Sequence, residues 1–150
     1  MKNIKTATDY LQSRGFTIVS GGTDNHLFVA DMRSKGVDGG RIEAVMNEIS
    51  ISINKNTVPG DKSALIPSGI RIGSPAMTTR GCKEADFLQI MKFIERATDI
   101  TNSINKKAKG TKLKDFKDSL QGDLQNGDLI QLRKEVNAFS DQFPVPGGLI

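Results

Sequence analysis

Ile4, Ala7 and Leu11 recur at helical spacing, and Gly15 stands where a helix commonly ends in a left-handed cap. The periodicity sets in almost at Met1 with no capping residue ahead of it, as expected for the last part of a longer helix. Phe16, Ile18 and Val19 form a short run rich in strand formers, and His26 to Met32, with Leu27, Phe28 and Val29, form another. From Gly39 to Ile49 the apolar positions Ile42, Val45, Met46 and Ile49 predict an amphipathic helix, with Ile51 and Ile53 continuing as a brief strand. A long stretch from Asn54 to Gly69, broken by Pro59, Gly60 and Pro67, leads to an extended piece at Ile70-Arg71-Ile72. The longest stripe, Phe87, Ile90, Met91, Ile94, Ala97, Thr101 and Ile104, predicts a helix over Glu84 to Ile104. Two further helical patterns follow, one around Phe116 and Leu120, the other carrying Leu129, Leu132, Val136 and Phe139 and ending at Pro144 and Pro146.

This order, α-β-β-α-β-loop-β-α and then terminal helices, predicts an α+β fold with a short antiparallel sheet packed against helices. The first two strands are joined by a hairpin-sized loop, Ser20 to Asn25, which is too short for the crossover that parallel strands need. Three regions are expected: residues 1–14 as the end of a helix between domains, 15–105 as the α/β core with a ligand loop at 54–81, and 106–150 as a basic connector with C-terminal helices. There is no internal repeat.

Length and charge narrow the picture further. At 150 residues the chain can bury a core without disulfide or metal staples, and its one cysteine, Cys82, cannot form an internal bridge. The single cysteine suggests a reducing, intracellular setting, cytoplasmic or mitochondrial, and no apolar run approaches the roughly 20 residues of a membrane-spanning helix. The net charge of +4 is within what solubility favours, and aromatics make up only 5%, so a base-stacking nucleic-acid surface is not expected. The lysines between Asn105 and Lys117 are diluted by Asp115 and Asp118 and read as a solvated linker.

The strongest chemical signal is Arg71, set between two isoleucines and flanked by Gly69 and Gly73. Its guanidinium offers a planar donor fork matched to carboxylate or phosphate, and the glycines admit a ligand or another backbone close by. The bland alternative is an arginine on an edge strand pointing to solvent. Asn56 could read a donor and acceptor edge of a ligand, or could serve a turn. Thr78, Thr79 and Arg80 precede the long helix and are read as its cap, with anion holding as the other option. His26 is the only histidine, so no metal site is expected, and it is read as structural. An Asp24-Asn25-His26 triad is discarded, because neighbours on a strand face opposite ways and no Gly-x-Ser-x-Gly elbow occurs. Gly21-Gly22 reads as a tight turn, since no phosphate-binding glycine fingerprint accompanies it.

Taken together, Ser20-Gly21-Gly22-Thr23-Asp24-Asn25-His26, Asn54-Lys55-Asn56-Thr57-Val58-Pro59-Gly60-Asp61, and Pro67 through Gly81 with Ile70-Arg71-Ile72-Gly73-Ser74-Pro75-Ala76-Met77-Thr78-Thr79-Arg80 resemble serine hydroxymethyltransferase. The Phe143-Pro144-Val145-Pro146-Gly147 ending is similar to that family's C-terminus, and Ser63-Ala64-Leu65 to the eukaryotic-type form of its loop. The family has the aspartate-aminotransferase fold type, uses pyridoxal phosphate, and interconverts serine and glycine while passing one carbon to and from tetrahydrofolate. The resemblance is to its small C-terminal domain. It implies that Arg71 grips the α-carboxylate of serine or glycine, and that Asn56 with Ser63, Ala64 and Leu65 borders the folate pterin. It also implies the family's large domain as partner and a homo-oligomeric complete enzyme.

The lysine that carries the cofactor in this family lies in a Thr-rich stretch behind a histidine, and it has no counterpart here, since the only histidine is followed by Leu27. No catalytic residue is therefore assigned within the chain, and by itself it is expected to hold neither cofactor tightly and to turn over nothing. The other reading is a non-catalytic, free-standing small domain acting as a binding or regulatory module.

Overall fold

In a computed structural model, which describes residues 1–19, 25–124 and 127–145, the apolar stripe Ile4, Ala7, Leu11 buries itself along one side of helix α1 (Lys2–Ser13). Gly15, at φ +88°, reverses the chain, and the Phe16 N–H reaches back to the Leu11 carbonyl (3.0 Å). Strand β1 (Thr17–Ile18) pairs antiparallel with β2 (Leu27–Asp31). A 3-10 turn, Met32–Lys35, leads to α2 (Gly39–Glu48), whose first turn is capped by the Asp38 carboxylate accepting from the Arg41 N–H at 2.8 Å.

The next strand differs from expectation. Ile51 and Ile53 are not in a strand; β3 is Asn54–Asn56, and Ile53 instead drops into the core from the segment before it. A polar triplet can pair here because β3 is an edge strand, held by its backbone to β4 (Gly69–Gly73) and with one face in solvent. The sheet order is β1-β2-β4-β3, antiparallel throughout, which bears out an α+β fold with a short antiparallel sheet.

A short helix α3 (Pro75–Thr79) precedes α4 (Glu84–Lys107). The capping expected of Thr78 and Thr79 is not found: both belong to α3, and the carboxylate that receives the Lys83 N–H ahead of α4 is that of Asp86 (2.8 Å). The lysine-rich stretch is also largely helical rather than linker, since α4 runs to Lys107 and α5 (Leu113–Asp123) contains Lys114 and Lys117. Their side chains are exposed, but Phe116 between them is fully buried, so the apolar positions at helical spacing override the charge run. With α6 (Asp128–Ser140), α5 adds Phe116, Leu120, Leu132 and Val136 to the same core that α1, α2, α4 and the inner sheet face build.

Helix α1 is fastened to α4 by an exposed-edge network. The Arg14 guanidinium holds Glu95 at 2.7 and 2.9 Å, and the Tyr10 hydroxyl donates to the same carboxylate at 2.7 Å. Arg14 foremost, and Tyr10 with it, hold the Glu95 carboxyl below its usual range against the opposing effect of burial. A carboxyl with a depressed folded pKa stabilises the fold above its ordinary value and loses that contribution as pH falls through the folded one. Glu95→Gln should therefore lower the melting temperature by about 2–4 °C near neutral pH, from about 1 kcal/mol after solvent screening of the half-exposed Arg14. The gap to the parent chain should hold above about pH 5.5 and close progressively below about pH 4.5. Melting curves of both chains from pH 3 to 7 check this; a gap that persists undiminished at acid pH would exclude the ion pair as its source.

Candidate functional site

Strand β4 is central, between β2 and β3, so Arg71 is not the edge-strand arginine of the bland alternative. Ile70 and Ile72 point into the core, and the period-two alternation turns Arg71 to the opposite, exposed face. Its cross-strand neighbours there are Val29 of β2 and Asn54 of β3. Among the described residues Arg71 makes no ion pair and no side-chain hydrogen bond. Elsewhere the arginines are engaged: Arg14 with Glu95, Arg33 with Asp31, Arg41 with Asp38, Arg96 with Glu135, and Arg80 with main-chain carbonyls, leaving only Arg133 on the outer side of α6 similarly unpaired. A free guanidinium at the centre of a sheet face is a ready receiver for a ligand carboxylate.

The register puts Asn54 and Asn56 on that same face, opposite Arg71 and Gly69 respectively. Asn56 is half-buried, and its amide donates to the Thr57 carbonyl at 2.8 Å, so its turn role is realised while its carbonyl oxygen is left to accept. Asn54 was not singled out by sequence reasoning. Strand alternation back from Asn56 is the signal that finds it, once β3 is known to begin there.

The loop after β3 is built from its base upward. Val58 lies against Gly69, where an added Cβ would come within 2.5 Å of Val58 Cγ1 and 2.9 Å of the Asn56 carbonyl, so this glycine serves close packing of the loop and strand. Gly60, at φ +94°, turns the chain back, and the Arg33 guanidinium, held bidentate by Asp31 at 2.6 and 3.0 Å, donates to the Pro59 carbonyl at 3.0 Å. The Asp61 carboxylate then accepts from the Val58 N–H (2.9 Å), the Ser68 N–H (3.0 Å) and the Ser68 hydroxyl. The Ser68 hydroxyl first, then the two backbone N–H groups, hold the Asp61 carboxyl below the usual range. Beyond this base the chain arches outward. Ser63, Ala64 and Leu65 are exposed, Leu65 at 88% and its neighbour Ile66 at 66%.

The sequence-predicted residues thus divide. Arg71 and Asn56 come together on one sheet face, and Ser63, Ala64 and Leu65 stand on the loop that leaves the Asn56 end of that face. His26 is exposed and contributes its carbonyl, which accepts from the Ser74 N–H at 2.9 Å, a structural role. Arg80 is engaged within the chain: its guanidinium donates to the carbonyls of Ser140 (2.8 Å), Phe143 (2.9 Å) and Pro144 (3.2 Å). Gly21-Gly22, Asp24 and Pro146-Gly147 lie outside the described residues. No group of histidine, cysteine or carboxylate side chains suited to a metal occurs among the described residues. Among them, too, no helix is long and apolar enough to cross a membrane.

Comparison with known proteins yields a match to the family model for serine hydroxymethyltransferase over residues 1–94. The chain is 46% identical over 150 residues to the chloroplastic serine hydroxymethyltransferase 3 of Arabidopsis thaliana, an alignment covering 98% of this chain and 28% of that protein. It is 46% identical to the probable cytosolic enzyme of Schizosaccharomyces pombe (97% of this chain, 32% of that one) and 47% identical to the cytosolic enzyme of Oryctolagus cuniculus (97% and 30%). The chain therefore spans about a third or less of the length of these relatives. They are assigned to different compartments, so similarity does not select one.

Proposed function

The chain belongs to the serine hydroxymethyltransferase family, and from that membership we propose that it supplies the smaller, C-terminal part of an enzyme of the aspartate-aminotransferase fold type. That enzyme interconverts serine and glycine with transfer of one carbon to tetrahydrofolate. The observation that carries the proposal is Arg71, unpaired at the centre of the exposed sheet face with amide side chains beside it. In this reading Arg71 binds the amino-acid carboxylate through its fork of donors, and Asn56 with Ser63, Ala64 and Leu65 borders the pterin of folate. The partner is the remainder of the enzyme, which closes over this face and excludes water from the Arg71 pair.

Pyridoxal phosphate, when bound in such an enzyme, supplies the electron sink that makes the amino acid's Cα reactive. The residues here do not fit that group. The lysine in the sheet, Lys55, opposes Ile70 in the register and so has the opposite parity to Asn54, Asn56 and Arg71. Its backbone N–H donates to the Glu43 carboxylate at 2.7 Å, which fixes the main chain there. Among the described residues no lysine shares the Arg71 face of the sheet, and in this reading the cofactor's lysine belongs to the partner part while this chain orients substrate.

The test is reconstitution. Joined or mixed with the N-terminal portion of a relative, the chain should restore serine cleavage. Alone, with pyridoxal phosphate and borohydride, it should give no stable lysine-linked absorbance. Failure of a correctly folded, associated complex to cleave serine, or a stoichiometric adduct on the chain alone, would overturn the proposal.

A further inference from the structure

The loop between Asp61 and Ser68 has two contrasting parts: Leu65 and Ile66 at its tip are apolar and open to solvent, and its base is bound at several points. The Asp61 carboxylate gathers three donors from both feet of the arch. One foot is further tied by Arg33 to the Pro59 carbonyl. The other is held because the Pro67 carbonyl accepts from the Gly39 N–H (2.8 Å) and the Ser68 carbonyl from the Met32 N–H (2.9 Å). The tip itself has little to hold it besides the Ser63 hydroxyl accepting from the Leu65 N–H at 3.1 Å. Order at the tip therefore derives from the base.

We propose that Asp61 is a positioning residue for the folate side of the site: by closing both feet of the arch it presents Ser63-Ala64-Leu65 as a preformed wall, without itself touching the ligand. This rests on the reading of that segment as the pterin border. Preorganisation lowers the ordering cost that binding would otherwise bear, so its loss should appear in affinity for the ligand at the loop and not in affinity for the ligand at Arg71. Asp61 lies on the loop side of the sheet face, while Arg71 is set by β4 pairing on both of its edges, which Asp61 does not enter.

The experiment is Asp61→Asn, which keeps the size but replaces one acceptor oxygen by an NH2 donor. In the 150-residue chain, amide hydrogen exchange at Val58 and Ser68 should accelerate at least about tenfold while β4 amides are unchanged. In the completed enzyme, KM for tetrahydrofolate should rise about tenfold with KM for serine within about twofold, and Asp61→Glu should recover part of the loss. A merely structural role would move both KM values together, and that result overturns the proposal. Leu65→Ser is the control on the underlying reading. If it raises KM for tetrahydrofolate and Asp61→Asn does not, the positioning role is excluded while the pterin border stands; if neither variant does, the border reading falls and the proposal with it.

Discussion

Replacing Arg71 with alanine in the completed enzyme should raise KM for serine at least about a hundredfold. Two charge-assisted hydrogen bonds from one guanidinium to a carboxylate contribute about 1.5–3 kcal/mol each, and every 1.4 kcal/mol is a tenfold change in affinity. The fold should not suffer, because the side chain is exposed and makes no ion pair or side-chain hydrogen bond among the described residues; its melting temperature should stay within the small range typical of surface substitutions. Arg71→Lys should recover only part of the loss, since an ammonium keeps the charge but not the planar fork. Steady-state kinetics on the three forms, with melting curves as control, decide the matter. A serine KM indifferent to Arg71→Ala would remove the carboxylate from this position.

Gly39→Ala should have the largest effect on stability. Helix α2 begins so close to β4 that a Cβ on residue 39 would lie 2.3 Å from the Gly69 carbonyl oxygen and 3.0 Å from that of Pro67. Both obstacles are backbone, and the Gly39 N–H is already hydrogen-bonded to the second of them at 2.8 Å, so neither side can give without breaking a contact. Overpacking of this kind costs about 2–3 kcal/mol, or roughly 5–10 °C in melting temperature for a chain of this size. Gly122→Ala is the comparison, because it sits in α5 with nothing within 4 Å of the added atom. There the substitution should be neutral or slightly stabilising by helix propensity. Equal melting temperatures for the two variants would contradict the close approach of α2 and β4.

These two glycines also illustrate what a single sequence reveals. In the string Asp38-Gly39-Gly40, Gly39 looks like an ordinary helix entrance, and nothing local says that a strand thirty positions later presses on it. Arg71 was legible because two isoleucines bracket it, and that alternation turns its side chain away from the core wherever the strand lies. That the strand is central, and that its arginine is unpaired, depends on residues far along the chain. Asp61 stood out only as the end of the Asn54-to-Asp61 stretch and of the turn at Pro59-Gly60, and nothing local gave its role, since its partner Ser68 is brought to it by the arch. Arg80 was placed beside the long helix it precedes, but the carbonyls that claim it belong to the end of α6 and the residues after it.

Apart from the third strand and the short α3, the succession of helices and strands, the α+β class and the outward-facing arginine followed from the sequence alone, because each depends on periodicities of two or three to four residues within one segment. The polar edge strand β3, the central place of β4, the burial of Phe116 within a lysine run and the stapled arch at Asp61 were decided only by tertiary structure. Those features depend on backbone pairing and side-chain packing between segments distant in the chain, and such contacts leave no local period to read.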